Sequence, residues 1–172
     1  MKQSLRSPTL TALILCLTVS IFAQEKSQEK KPGVLAGSEL KLVVPTNYFF
    51  EDQVAPVQMR NSVAIRAKDG KIVAAGLVDN SGYSTDVAQK YQGFLIASKK
   101  INLEGKSLEP GQYGFGFVDG KFRVMDVGGN DVLTVEYKTD EKLQRPAPFK
   151  AFVSGAEYRL YAGKKYVSLS ID

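Results

Sequence analysis

The chain contains no histidine and no tryptophan, and its single cysteine is Cys16. Without imidazole no Ser-His-Asp triad or Cys-His pair can be assembled. Ordinary zinc, copper and haem sites draw on His and Cys, so they are excluded with them. No G-x-S-x-G elbow, no glycine-rich phosphate loop closing on Lys-Ser or Lys-Thr and no dinucleotide fingerprint occurs. Long apolar runs are also missing. The longest stretch, Leu10 to Phe22, covers about 13 residues, against the roughly 20 of a spanning helix. No transmembrane span is therefore expected in the mature chain, and no disulfide is available to staple it.

That short apolar stretch is informative in itself. Lys2 and Arg6 precede it, Thr11, Thr18 and Ser20 interrupt it, and the small residue Ala23 follows it. This is the grammar of a secretory signal over residues 1–23, with an uncleaved anchor as the alternative. Cys16 lies inside the segment, so the only thiol is expected to leave with it. A lipid-modified cysteine is not expected, because Leu13, Ile14 and Leu15 stand where a small residue is needed. The protein is expected to be exported, to the periplasm or beyond the cell. Losing Lys2 and Arg6 lowers the formal net charge from +5 to +3, which points to no particular partner.

Residues 24–33 are polar and charged, with Lys26, Lys30 and Lys31 against Glu25 and Glu29, and read as a flexible linker. Residues 34–172 read as one all-β domain. Leu40, Leu42 and Val44 alternate, as do Val63, Ile65 and Ala67. Asp69-Gly70 and Asp119-Gly120 are expected to form two-residue type I′ hairpins. A further turn at Gly128-Gly129-Asn130 precedes Val132 to Tyr137, and Tyr158 to Tyr161 and Tyr166 to Ile171 flank Ala162-Gly163. About eight short strands at this spacing predict an antiparallel β-sandwich or small β-barrel. One short helix is expected after Ser84 or Thr85, with Asp86 in its first turn, Val87 and Tyr91 on one face and Gly93 at its end. The two Asp-Gly-Lys hairpins also echo one another faintly, as a duplicated unit would.

The chemistry left is that of carboxylates, hydroxyls and amines. Glu104, Glu109, Asp126 and Asp131 are the carboxylates a glycoside hydrolase would draw on, but no spacing singles out a pair. A non-enzymatic role is favoured, with a carboxylate-dependent hydrolase of glycans and a small outer-membrane barrel as alternatives. No cofactor is expected. Asp126, Asn130 and Asp131 crowd the Gly128-Gly129 turn and are candidate calcium ligands, although Asn and Asp are also common turn formers.

Two segments invite a binding reading. In Gly111 to Val118, Tyr113, Phe115 and Phe117 alternate with Gly114 and Gly116. The simpler expectation is an aromatic core face, with the glycines lying beneath the helix or a neighbouring sheet. Near the C-terminus Arg159, Tyr161, Lys164, Lys165 and Tyr166 combine aromatic and basic side chains, which suits an anionic glycan or an envelope component. Nucleic acid would suit the same chemistry but is not expected of an exported chain. The segment Leu108-Glu109-Pro110-Gly111-Gln112-Tyr113 resembles the L-x-x-G-x-Y strand opening of exported bacterial β-sandwich proteins. That resemblance implies a fold and carries no activity or site residue.

Overall fold

A computed structural model describes residues 31–171. The expected signal segment, residues 1–23, and most of the expected linker lie outside the described residues. In chain order the elements are β1 (Gly33–Val34), α1 (Gly37–Val43), β2 (Asn47–Phe50), β3 (Gln53–Arg66), β4 (Ile72–Val78), α2 (Thr85–Lys90), β5 (Gly93–Ala97), β6 (Ile101–Leu103) and β7 (Lys106–Leu108). They continue with β8 (Gly111–Val118), β9 (Lys121–Met125), β10 (Asp131–Glu136), β11 (Lys138–Thr139), β12 (Ala147–Ser154), β13 (Glu157–Gly163) and β14 (Lys165–Ile171). Every strand pairing is antiparallel.

The strands form two sheets, as a β-sandwich requires. The larger runs β1-β3-β4-β5-β8-β9-β10, with β2 paired to β3. The smaller runs β12-β13-β14-β6-β7, with β11 paired to β14. Neither closes into a barrel, so the sandwich is the realised member of the two expected architectures. The first core lies between the sheets and includes Leu95, Phe115, Phe117 and Phe122 from the large sheet and Phe149, Leu160, Val167 and Leu169 from the small one. A second core covers the opposite face of the large sheet, where Tyr48, Phe50, Phe94, Tyr91 and Met125 pack with residues flanking α1 and α2.

Strand β8 explains why the large sheet has two cores. Its side chains alternate, so Phe115 and Phe117 enter the first core. Gly114 and Gly116 present bare backbone to the other. A Cβ at Gly114 would lie 2.3 Å from the Phe50 ring, and one at Gly116 would lie 2.0 Å from the Lys90 carbonyl oxygen. The glycines therefore admit α2 and the β2 hairpin onto the sheet. Helix α2 covers a sheet face, not a barrel end. Ser84 caps it by accepting from the Val87 N–H, and Asn80 donates to the carbonyls of Ala88 and Tyr91 at its other end. Gly93 does not terminate the helix. It opens β5, where a Cβ would sit 2.2 Å from the Gly76 carbonyl oxygen.

Three local expectations are corrected. Leu40 and Val44 belong to and follow a helix, α1, and Leu42 is 81% exposed. Their spacing fits a helical turn as well as a strand, and Gly37 at φ 57 starts the turn. Asp119 and Gly120 both have positive φ, as a type I′ turn demands, but at Asp69-Gly70 only Gly70 does. There Gly70 N–H donates to Ala67 O, and Ala67 N–H to Lys71 O, giving a longer turn. The two hairpins thus differ in geometry, and the echo between them is one of sequence only. Finally, Gly33, read from the sequence as the last linker residue, is paired in β1 opposite Arg66. Arg66 is buried and binds Glu39 at 3.0 Å and the Lys31 carbonyl at 3.3 Å, tying this segment to the sheet.

Candidate functional site

The outer face of the small sheet is assembled from β12, β13 and β14. Phe149, Leu160, Val167 and Leu169 point into the core, so the alternate positions point away from it. Those positions are Lys150, Phe152 and Ser154 on β12, Glu157, Arg159 and Tyr161 on β13, and Tyr166, Ser168 and Ser170 on β14. Register places Lys150 opposite Tyr161, Phe152 opposite Arg159, and Tyr161 opposite Tyr166. Tight turns containing Gly155 (φ 65) and Gly163 (φ 68) set these registers.

The result is a ladder of rings across three strands. Phe152 meets Tyr161 edge-on, with centroids 5.3 Å apart at 86°, and Tyr161 stacks on Tyr166 at 5.1 Å and 25°. The Arg159 guanidinium carbon lies 4.8 Å from the centre of the Tyr166 ring. Such pairs add to sheet stability as well as shaping a surface. Tyr161 is buried among its neighbours, and its hydroxyl donates to Asp140 Oδ2 at 2.8 Å. That bond holds the Asp140 carboxyl below its usual range, whereas burial and then Asp140 push the Tyr161 hydroxyl up. Phe152 closes the ladder at the edge strand and remains 45% exposed.

Of the five residues expected here, Arg159, Tyr161 and Tyr166 come together. Lys165 does not: its ammonium lies 4.9 Å from the centre of the Tyr137 ring, and its strand position alternates with Tyr166. Lys164 sits in the turn, where its carbonyl accepts from Asp140 N–H. Phe152, Lys150 and Asp140 were not expected. The alternation of Phe149 and Ala151 with Lys150 and Phe152 is the signal in the sequence, but only pairing with β13 gives it meaning.

The carboxylates are each engaged locally. Glu104 lies in the β6–β7 turn, where Oε1 accepts from Ser168 N–H at 2.6 Å and Oε2 binds Lys138 Nζ at 2.5 Å. It borders two clefts of about 420 Å³ each, and neither is lined by Glu109, Asp126 or Asp131. Glu109 pairs with Lys100 at 2.7 Å. Asp126 Oδ1 accepts from the backbone N–H groups of Gly128 and Asn130, and the Asn130 amide donates to the same carboxylate. Asp131 turns to Arg123 at 3.3 Å. The expected calcium trio thus forms a turn closed by its own hydrogen bonds, with Asn130 presenting donors to Asp126. Among the described residues no cluster of three acidic, His or Cys side chains is arranged for a metal.

These bonds predict a pH profile. The backbone N–H of Asn130 leads the groups that depress Asp126, and Tyr161 leads those that depress Asp140. A carboxyl depressed on folding stabilises above its unfolded pKa of about 4, and that contribution is lost as pH falls through the lower folded value. With no histidine to titrate, the melting temperature is expected to stay level from about pH 5 to 7 and to fall below about pH 4. Thermal melts across that range check it, and a decline already under way at pH 6 contradicts it.

Compared with protein-family models, curated proteins and solved structures, the chain matches none.

Proposed function

We propose that the protein is an exported, non-enzymatic binding module that presents the outer face of its small sheet to a glycan or another envelope component. The observation that carries this reading is the exposed Phe152 ring at the end of the Phe152–Tyr161–Tyr166 ladder. The two faces of the large sheet are occupied by the two cores, so among the described residues the small sheet carries the uncovered face. Solvent-facing strand positions are ordinarily polar, as Ser168 and Ser170 are here. Aromatic and basic side chains collected on such a face suit an extended ligand that lies flat on it. The local engagement of the four carboxylates favours binding over hydrolysis.

A screen of purified protein against envelope and environmental polysaccharides tests the proposal, with binding and released sugar measured together. Binding without turnover is expected, and Phe152→Ala is expected to weaken it about tenfold, the scale of one lost ring contact. Release of sugar overturns the non-enzymatic reading. Export is tested separately by N-terminal sequencing of the envelope fraction. A chain beginning at Gln24 is expected; an intact cytoplasmic chain beginning at Met1 contradicts export.

A further inference from the structure

We infer that the Phe152 end of this face selects acidic saccharides, with a sugar ring on Phe152 and its carboxylate at Lys150. The inference rests on the binding reading above and adds the class of ligand. It follows from how charge is distributed along the ladder. At the far side Lys138 is neutralised by Glu104, and the Tyr161 hydroxyl is taken by Asp140. At the Phe152 side, Lys150 has no ion-pair or hydrogen-bond partner among the described residues.

Lys150 precedes Phe152 by two positions, so both project from the same face of β12, about 7 Å apart along the strand. Arg159 stands directly opposite Phe152, on the neighbouring strand, with its guanidinium over Tyr166. No acidic residue occurs in β12, and the outward acid of β13, Glu157, stands opposite Ser154, on the other side of Phe152 from Lys150. The exposed ring therefore has one uncommitted cation beside it on its own strand, Lys150, while the Arg159 guanidinium is engaged with Tyr166. A neutral sugar would use the ring and leave Lys150 idle. A hexuronate brings an apolar ring face and a carboxylate on one residue, which matches both groups. Charge attraction at an exposed site is modest and screened by salt, so a polymer that repeats the unit is the fitting form of the ligand.

The test uses the protein with polygalacturonate and with the same polymer after methyl esterification, which keeps the rings and removes the charge. Polygalacturonate is expected to bind about tenfold more tightly at low salt, with the difference shrinking as salt rises. Lys150→Ala is expected to abolish most of that difference, and Phe152→Ala to weaken both polymers. Both positions are exposed, and unchanged melting temperatures confirm that each variant folds. Equal affinity for the two polymers, with both weakened by Phe152→Ala, overturns the acidic class and leaves the binding face standing. A preference that survives Lys150→Ala overturns the assignment to Lys150. Failure to bind either polymer overturns the inference. If no polysaccharide in the wider screen binds either, the binding reading falls with it.

Discussion

Phe115→Ala is expected to destabilise the protein by about 3–5 kcal/mol, the range for deleting a buried aromatic side chain. The Phe115 ring is fully buried and sits where the two sheets meet. It stacks on Phe149 of the small sheet, with centroids 5.2 Å apart, and packs against Phe117 and Phe122 of the large one at 6.2 and 5.3 Å. Its removal costs the transfer of the ring from water and leaves a cavity that the rigid strands on either side cannot close. A loss of this size is a large fraction of the roughly 5–15 kcal/mol that holds a typical domain together. Urea unfolding measures it. Phe115→Leu retains much of the volume and is expected to cost less than half as much. A Phe115→Ala variant within about 1 kcal/mol of the parent contradicts the placement of this ring at the sheet junction.

Gly116→Ala carries an expected effect of the opposite sign to strand propensity. In an open strand, replacing glycine with alanine lowers the entropy lost on folding and stabilises by about 0.5–1 kcal/mol. At Gly116 the new Cβ would lie 2.0 Å from the Lys90 carbonyl oxygen, a backbone atom at the end of α2. Helix and strand must separate, at a cost of about 2–3 kcal/mol, typical of overpacking. Gly82→Ala, in the turn before α2, is a clash-free control, since its nearest neighbour would be Gln53 Oε1 at 3.7 Å. That change is expected to stay within about 0.5 kcal/mol. Hydrogen exchange adds a local readout: Gly116→Ala is expected to speed exchange in α2 before it affects β13 and β14. Equal stability of the Gly116 and Gly82 variants contradicts the seating of α2 on β8.

The same strand shows what can be read from a sequence of this kind. In β8 the period of two is written in the residues themselves, aromatics on one side and glycines on the other. Both the core face and the covered glycine face follow from it. The Val63 end of β3 is legible for the same reason, because alternating positions there run up to a turn signal. Strands of two or three residues, such as β1, β6, β7 and β11, are too short to show any period. They exist because longer strands offer them edges to pair with. Leu40, Leu42 and Val44 satisfy a strand pattern although they lie in and just beyond helix α1, and only packing shows that Leu42 faces outward.

The candidate site divides in the same way. Arg159 and Tyr161 are two apart on one strand, and Tyr166 follows a tight turn, so local spacing was enough to group them. Lys165 is close to them in sequence, but adjacent strand residues point to opposite faces. Phe152 and Asp140 reach Tyr161 from 9 and 21 residues away respectively, through pairing of β12 and through the segment after β11. No local pattern encodes those distances. The glutamate with the most committed geometry, Glu104, is held by Ser168 and Lys138, 64 and 34 residues further along the chain.

Binding on the outer face of the small sheet has a direct spectroscopic consequence. It is tested most directly by recording backbone amide chemical shifts while titrating the protein with a polysaccharide that binds in the screen. Shift changes are expected to concentrate on Lys150 to Ser154, Glu157 to Tyr161 and Tyr166 to Ser170, with the largest around Phe152. Shifts concentrated instead on the β2–β3 hairpin, around the exposed Phe49 and Val54, with β12 to β14 unmoved, would contradict it.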